Sequence, residues 1–154
     1  MARTLVRLGL IAAIVAAVLL TGCTSEAGVS LPAGDSVLHL DSVVVSNKWQ
    51  DNTTKSGYVF AAVMLTGTKD SFDSDAAEAD YAGLDEVSDD VSLSAAEGSV
   101  GELYYQGWST SMSDGEPSGY ELYLVFVVPA DAGDLTLNWP DKDPIDLAPY
   151  MEQE

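Results

Sequence analysis

From Ser36 onward the apolar residues of this chain recur at every second position, in short runs separated by turn residues, and a helical period is almost absent. Val37-Leu38-His39-Leu40-Asp41-Ser42-Val43-Val44-Val45, bounded by Gly34 and Asn47, predicts a first strand that is bulged or broken near Asp41. Trp49 to Ser56 reads as a polar loop. Tyr58-Val59-Phe60-Ala61-Ala62-Val63-Met64-Leu65 is apolar at both parities, the pattern of a central strand covered on both faces. Val91-Ser92-Leu93-Ser94 and Glu102 to Trp108 predict two more strands, and Gly119 to Val128 a long one closed by Pro129, whose ring removes a ladder donor. Beyond the Ala130 to Gly133 turn, Leu135, Leu137 and Trp139 alternate with Thr136 and Asn138, which predicts a hairpin with the preceding strand. Ile145 and Leu147 supply a last short strand. Only residues 75–86 have helix-friendly composition, and Gly83 interrupts them. Many short strands at this spacing predict an all-β, antiparallel, immunoglobulin-like β-sandwich with at most one short helix in 75–86.

A different pattern precedes these strands. Arg3 and Arg7 are followed by an apolar run of 13 residues, Leu8 to Leu20, and then by Leu20-Thr21-Gly22-Cys23. The run has the length of a secretory signal, and at about 1.5 Å per residue it falls well short of the ~30 Å hydrocarbon core. Leu20-Thr21-Gly22-Cys23 resembles the lipobox of bacterial lipoproteins, which implies cleavage before Cys23 and a diacylglycerol thioether on its sulfur. Two or more acyl chains anchor a protein stably where one does not. The expected organisation is a signal over 1–22, a lipidated Cys23 and flexible tether over 23–35, a sandwich over 36–150 and a tail over 151–154. The expected address is the extracytoplasmic face of a cell membrane.

Charge sharpens this picture. Both arginines leave with the signal, so the remaining 132 residues carry four lysines against 25 Asp and Glu, a formal net charge of −21. A nucleic-acid partner needs a basic footprint, and none is present. An acidic surface of this kind suits a salty or wall-associated setting, bacterial or archaeal, where dissolved cations screen self-repulsion.

Few residues offer chemistry. His39 is the sole histidine and Cys23 the sole cysteine, so no Ser-His-Asp, Cys-His or His-rich zinc arrangement can be assembled. Paired carboxylates suited to glycoside hydrolysis are not marked by any motif. No enzyme activity and no cofactor are therefore expected. The densest acidic run extends from Asp70 to Asp90, and Asp70, Asp73 and Asp75 are its metal candidates, although the order of an EF-hand loop is missing. Trp49 and Trp108 lie in polar neighbourhoods and, with Tyr104 and Tyr105, are candidates for an aromatic recognition platform, whereas Trp139 continues the Leu135 and Leu137 face and belongs to a core.

Two stretches carry a resemblance. Gly57-Tyr58-Val59-Phe60-Ala61-Ala62-Val63-Met64-Leu65-Thr66-Gly67-Thr68 resembles the central strand, and Tyr123 to Leu137 the closing hairpin, of a family of secreted telokin-like, immunoglobulin-like domains of unknown function, a fold shared by mycobacterial secreted immunogenic antigens. Residues 70–118 have no counterpart in that pattern, and Gly67-Thr68 stands where the family usually places an asparagine. The resemblance implies a fold and an extracytoplasmic address, with no catalytic motif to transfer. The expected function is that of a membrane-anchored, non-enzymatic binding or accessory lipoprotein, held to the membrane through lipid on Cys23, with a protein or cell-wall partner. The alternative is a calcium-dependent or carbohydrate-binding surface lipoprotein.

Overall fold

The computed structural model describes residues 28–152; the signal segment, Cys23, the outer part of the tether and residues 153–154 lie outside the described residues. The strands are Ser30–Ala33 (β1), Ser36–Ser46 (β2), Lys48–Trp49 (β3), Asn52–Thr53 (β4), Tyr58–Thr66 (β5), Ser92–Ala95 (β6), Val100–Ser113 (β7), Glu116–Pro129 (β8), Leu135–Asn138 (β9) and Ile145–Asp146 (β10). One helix, Ser74–Ser88 (α1), and a 3-10 turn at Ala148–Tyr150 complete the described residues. Eight strands form one antiparallel sheet in the order β1-β2-β5-β8-β7-β6-β9-β10, while β3 and β4 make a separate ribbon.

This sheet curls until its ends meet, which produces the sandwich. The Trp139 indole Nε1–H donates to the Pro32 carbonyl at 2.8 Å, joining the residue after β9 to β1. Met151 bridges in parallel to Val43 on β2, and the Glu152 N–H donates to the Val43 carbonyl at 3.1 Å. Between the layers lie Leu38, Leu40 and Val43 of β2, Ala61, Val63 and Leu65 of β5, Leu122, Leu124 and Phe126 of β8, and Leu93, Leu137 and Trp139 of the opposite layer. Full burial of each large side chain contributes roughly 1.5–3 kcal/mol. The all-β antiparallel reading holds, and β2 has its register shift between Leu40 and Ser42, at Asp41 as the pattern required. β5 is covered on both faces, because Ala61 and Val63 point to the main core while Phe60 and Ala62 point away from it.

Several boundaries and one pairing differ from expectation, and the expected polar loop from Trp49 carries the β3-β4 ribbon. The inner tether is not a tether: Ser30–Ala33 pairs along β2, with Leu31 and Ala33 fully buried. The small polar residues around them masked two apolar positions in an alternating pattern. Residues 151 and 152 belong to the fold rather than to a tail, since they occupy the β2 edge at Val43, beyond the reach of β1. The hairpin expected between Gly119–Val128 and Leu135–Trp139 does not form. Both edges of β8 are already paired, to β5 and β7, so β9 crosses to the other layer and pairs with β6, Leu93 opposite Leu137. The true partner of β8 is β7, joined through Asp114 and Gly115, whose φ values of 52° and 82° match the type I′ turn favoured by Asp-Gly.

α1 runs two residues beyond the expected segment at its C-terminus and one at its N-terminus. Asp73 caps it, its side chain accepting from the Ala76 N–H at 3.0 Å. Ala77 and Leu84 face the main core, flanked by Tyr81 and Val87. One acid of the run is not solvated. Asp80 is 1 % exposed, and its Oδ2 accepts from the Thr68 N–H at 2.7 Å, the Thr68 hydroxyl at 3.0 Å and the Tyr120 hydroxyl at 2.6 Å. Burial is the largest single influence on Asp80 and raises its pKa, but the bonds from Thr68, Tyr120 and Ser36 together outweigh it, and the pKa is lowered. This carboxylate ties α1 to the end of β5 and to β8.

Candidate functional site

The outer face of the sheet, turned away from α1 and the main core, carries a second apolar cluster. Its rows run across β2, β5, β8 and β7: Ser46, Phe60, Val127 and Glu102; Val44, Ala62, Val125 and Tyr105; Ser42, Met64, Tyr123 and Gly107; His39, Thr66, Glu121 and Ser109. Carboxylates stand only in the first and last rows, at Glu102 and Glu121, in a chain with 25 of them.

A bulge in β7 builds the centre of this face. The register shifts between Leu103, opposite Phe126, and Tyr105, opposite Val125. Phe126 points to the main core and Val125 to the outer cluster, so the strand changes parity and two consecutive tyrosines reach the same side. The Tyr104 ring lies 5.0 Å from that of Phe60 at 49°, and the Tyr105 ring stacks 6.0 Å from Tyr123 at 25°. Gly107 lies directly opposite Tyr123, and a β-carbon there would meet that ring at about 3.0 Å, so its small size is what lets the tyrosine lie flat. Trp49, on the β3-β4 ribbon, closes over the other side of Tyr123, edge-on at 5.3 Å and 61°. Phe60 and Tyr123 are thereby buried, whereas Tyr104 and Tyr105 remain 47 % and 45 % exposed. Burial, and secondarily the neighbouring Tyr105, hold the Tyr123 hydroxyl above its usual pKa, so it stays neutral.

Beside Tyr104 the face drops into a cleft of about 570 Å³. Tyr104, Tyr58, Val127 and Pro129 provide its apolar surface, and Lys55, Ser99 and Glu102 its polar rim. The Lys55 ammonium sits 4.4 Å from the centre of the Tyr58 ring.

Of the tryptophans picked from the sequence, only Trp49 joins this face, and as a half-buried cover rather than an exposed plate. Trp108 is opposite Leu122 on the inward side of β7 and packs against the main core, because the Tyr104 bulge reverses the parity of everything after it. The metal candidates do not gather. Asp73 is committed to the helix cap, Asp75 lies in the first turn of α1 and Asp70 in the preceding loop, and among the described residues no three His, Cys, Asp or Glu side chains are placed to hold an ion. The sequence marks Phe60 and Tyr123 only as strand residues, and the doubled Tyr104-Tyr105 inside an alternating strand is its sign of the bulge.

The Trp49 indole N–H is buried without a partner, whereas that of Trp139 is bonded. Trp49→Phe is therefore expected to change stability by less than about 1 kcal/mol, and Trp139→Phe to cost about 1–2 kcal/mol from the lost bond and the space left behind. Urea unfolding of the two variants side by side checks this; equal losses would mean that the two indoles are held alike.

Comparison with family models, with characterised proteins and with solved structures returned no match to this chain.

Proposed function

We propose that this protein is a lipid-anchored, extracytoplasmic, non-enzymatic binding module of immunoglobulin-like architecture, with a protein or cell-wall partner recognised by the outer face of its sheet. One observation carries the binding role: two adjacent tyrosines, each nearly half exposed, stand on a face almost free of carboxylates in a chain whose formal charge after the signal is −21. Exposed aromatic surface is costly to keep in water and is the residue type that dominates recognition sites. Stacking on Phe60 and Tyr123 fixes both rings before a partner arrives, which lowers the ordering cost of binding.

The anchor rests on the order of Arg3, Arg7, the apolar run and Leu20-Thr21-Gly22-Cys23. The likeness of Gly57–Thr68 and Tyr123–Leu137 to secreted telokin-like domains supports the same address. No helix among the described residues is long and apolar enough to cross a membrane. Val29 is already tied to the sheet, its carbonyl accepting from the Leu40 N–H at 3.1 Å, so the linker from a lipidated Cys23 spans residues 24–28. At ~3.3–3.6 Å per residue that linker extends no more than about 18 Å, and the domain works close to the bilayer.

Cys23→Ser is expected to move the protein from the membrane fraction to the soluble fraction and to abolish a thioether-linked diacylglycerol seen by mass spectrometry of the native protein. Retention of the serine variant in the membrane, or an unmodified cysteine in the native chain, would refute the anchor.

A further inference from the structure

We infer that the cleft beside Tyr104 binds an uncharged saccharide chain, an assignment that rests on the binding-module reading and names its ligand class. The cleft volume, about 570 Å³, falls within the ~300–1,000 Å³ of small-molecule sites. Its lining decides between ligand chemistries. An anion gains no net attraction from a rim where Glu102 offsets Lys55, and a chain whose formal charge after the signal is −21 repels it at long range. A cation finds the natural place for it already taken, because the Lys55 ammonium lies over the Tyr58 ring. What remains is a ligand without net charge that presents an apolar face to an aromatic ring and hydrogen-bonding groups around its edge.

A pyranose ring has that form, with axial C–H bonds on one face and hydroxyls at the perimeter. Tyr104 offers the flat surface, held from behind by Phe60 at 5.0 Å. Lys55 and Ser99 can donate to sugar oxygens, and the Glu102 carboxylate can accept from sugar hydroxyls, in the mixed lining expected of a site that orients a polyol. One acid balanced by one base also leaves the rim neutral. Tyr105 continues the exposed aromatic surface next along β7, so a chain of sugars, rather than a single residue, matches the length of the platform.

The test uses the full lipoprotein in a detergent without a sugar headgroup. Its probes are the β-1,4-linked hexamers of N-acetylglucosamine and of glucose, followed by saturation-transfer NMR and calorimetry. At least one hexamer is expected to bind with Kd of about 0.1–1 mM, the range of a shallow, solvent-open site. Tyr104→Ala should weaken this at least tenfold in a protein that still folds, its melting temperature lowered by only a few degrees through the lost Phe60 contact, and Glu102→Gln, which keeps the side chain's size, should weaken it several-fold. Absence of binding by both hexamers at about 10 mM, or equal affinity in folded Tyr104→Ala, overturns the assignment. A photo-crosslinker placed at Tyr105 on intact cells separates the two levels. Partner adducts without saccharide binding would sink the ligand class and leave the binding module standing, whereas neither adducts nor saccharide binding would sink both.

Discussion

Asp80→Ala is expected to lower stability by about 3–4 kcal/mol, a large share of the ~5–15 kcal/mol typical of a domain this size. The buried carboxylate receives its three closest donors from the Thr68 backbone, the Thr68 hydroxyl and the Tyr120 hydroxyl. Alanine leaves all three facing a space without an acceptor, and an unmade bond at a buried site costs the full desolvation of the group. Tyr120→Phe removes one donor and leaves the carboxylate two, so about 1.5–2 kcal/mol is expected. Chemical denaturation of both variants gives the ratio. Equal effects would mean that the tyrosine bond accounts for the whole contribution of the site.

The same site sets a pH dependence. The Asp80 pKa is lowered in the folded protein from its ordinary value of 3.8. Its contribution is therefore present above about pH 4 and is lost as pH falls through the lower folded value. The clean measurement is the stability difference between the native protein and Asp80→Asn. That difference should be flat from neutral pH to about 5 and shrink below about 4. A difference that instead grows on acidification would show that Asp80 is protonated in the fold.

Gly83→Ala is expected to cost about 2–3 kcal/mol, although glycine to alanine in a free helix is favourable by about 1 kcal/mol. A β-carbon at position 83 would lie 2.1 Å from the Ala33 carbonyl oxygen and 3.0 Å from its carbon. Those are backbone atoms, fixed by the pairing of Ala33 with Ser36 in the β1-β2 hairpin, so no side chain can turn aside. α1 would have to lift from the sheet, disturbing Leu84 and the Asp80 bonds together. A melting temperature that rises in this variant would contradict the close approach of helix and strand. The sign of the change thus separates local helix propensity from tertiary contact.

Gly83 has opposite effects on the isolated helix and on its docking. Composition marked it as an interruption of a weak helix, and the helix nevertheless runs from Ser74 to Ser88, because the residue that weakens it locally is the one that lets it dock. The acidic run has the same character. Asp73 and Asp80 look like their neighbours in sequence, yet one caps the helix from outside while the other is sealed beneath it. Nothing local distinguishes them, since their roles depend on Thr68 and Tyr120, the latter 40 residues away.

The hydrophobic pattern alone located β2, β5, β6, β7, β8 and β9, the bulge at Asp41, the doubly covered Tyr58–Thr66 and the inward Trp139, because side-chain parity in a strand is a local property with a period of two. Charge alone opposed nucleic acid, and Arg3, Arg7 and Leu20-Thr21-Gly22-Cys23 alone suggested the anchor. The pairing of β9 with β6 and the use of residues 30–33 and 151–152 at the β2 edge were decided only in the fold, as strand partnership depends on which edges remain free. The exposed aromatic face was decided there too. One extra residue in β7 exchanges inside for outside along the rest of that strand, sending Trp108 to the core and Tyr105 to the surface, and a shift of register against β8 is a relation between strands that neither carries by itself.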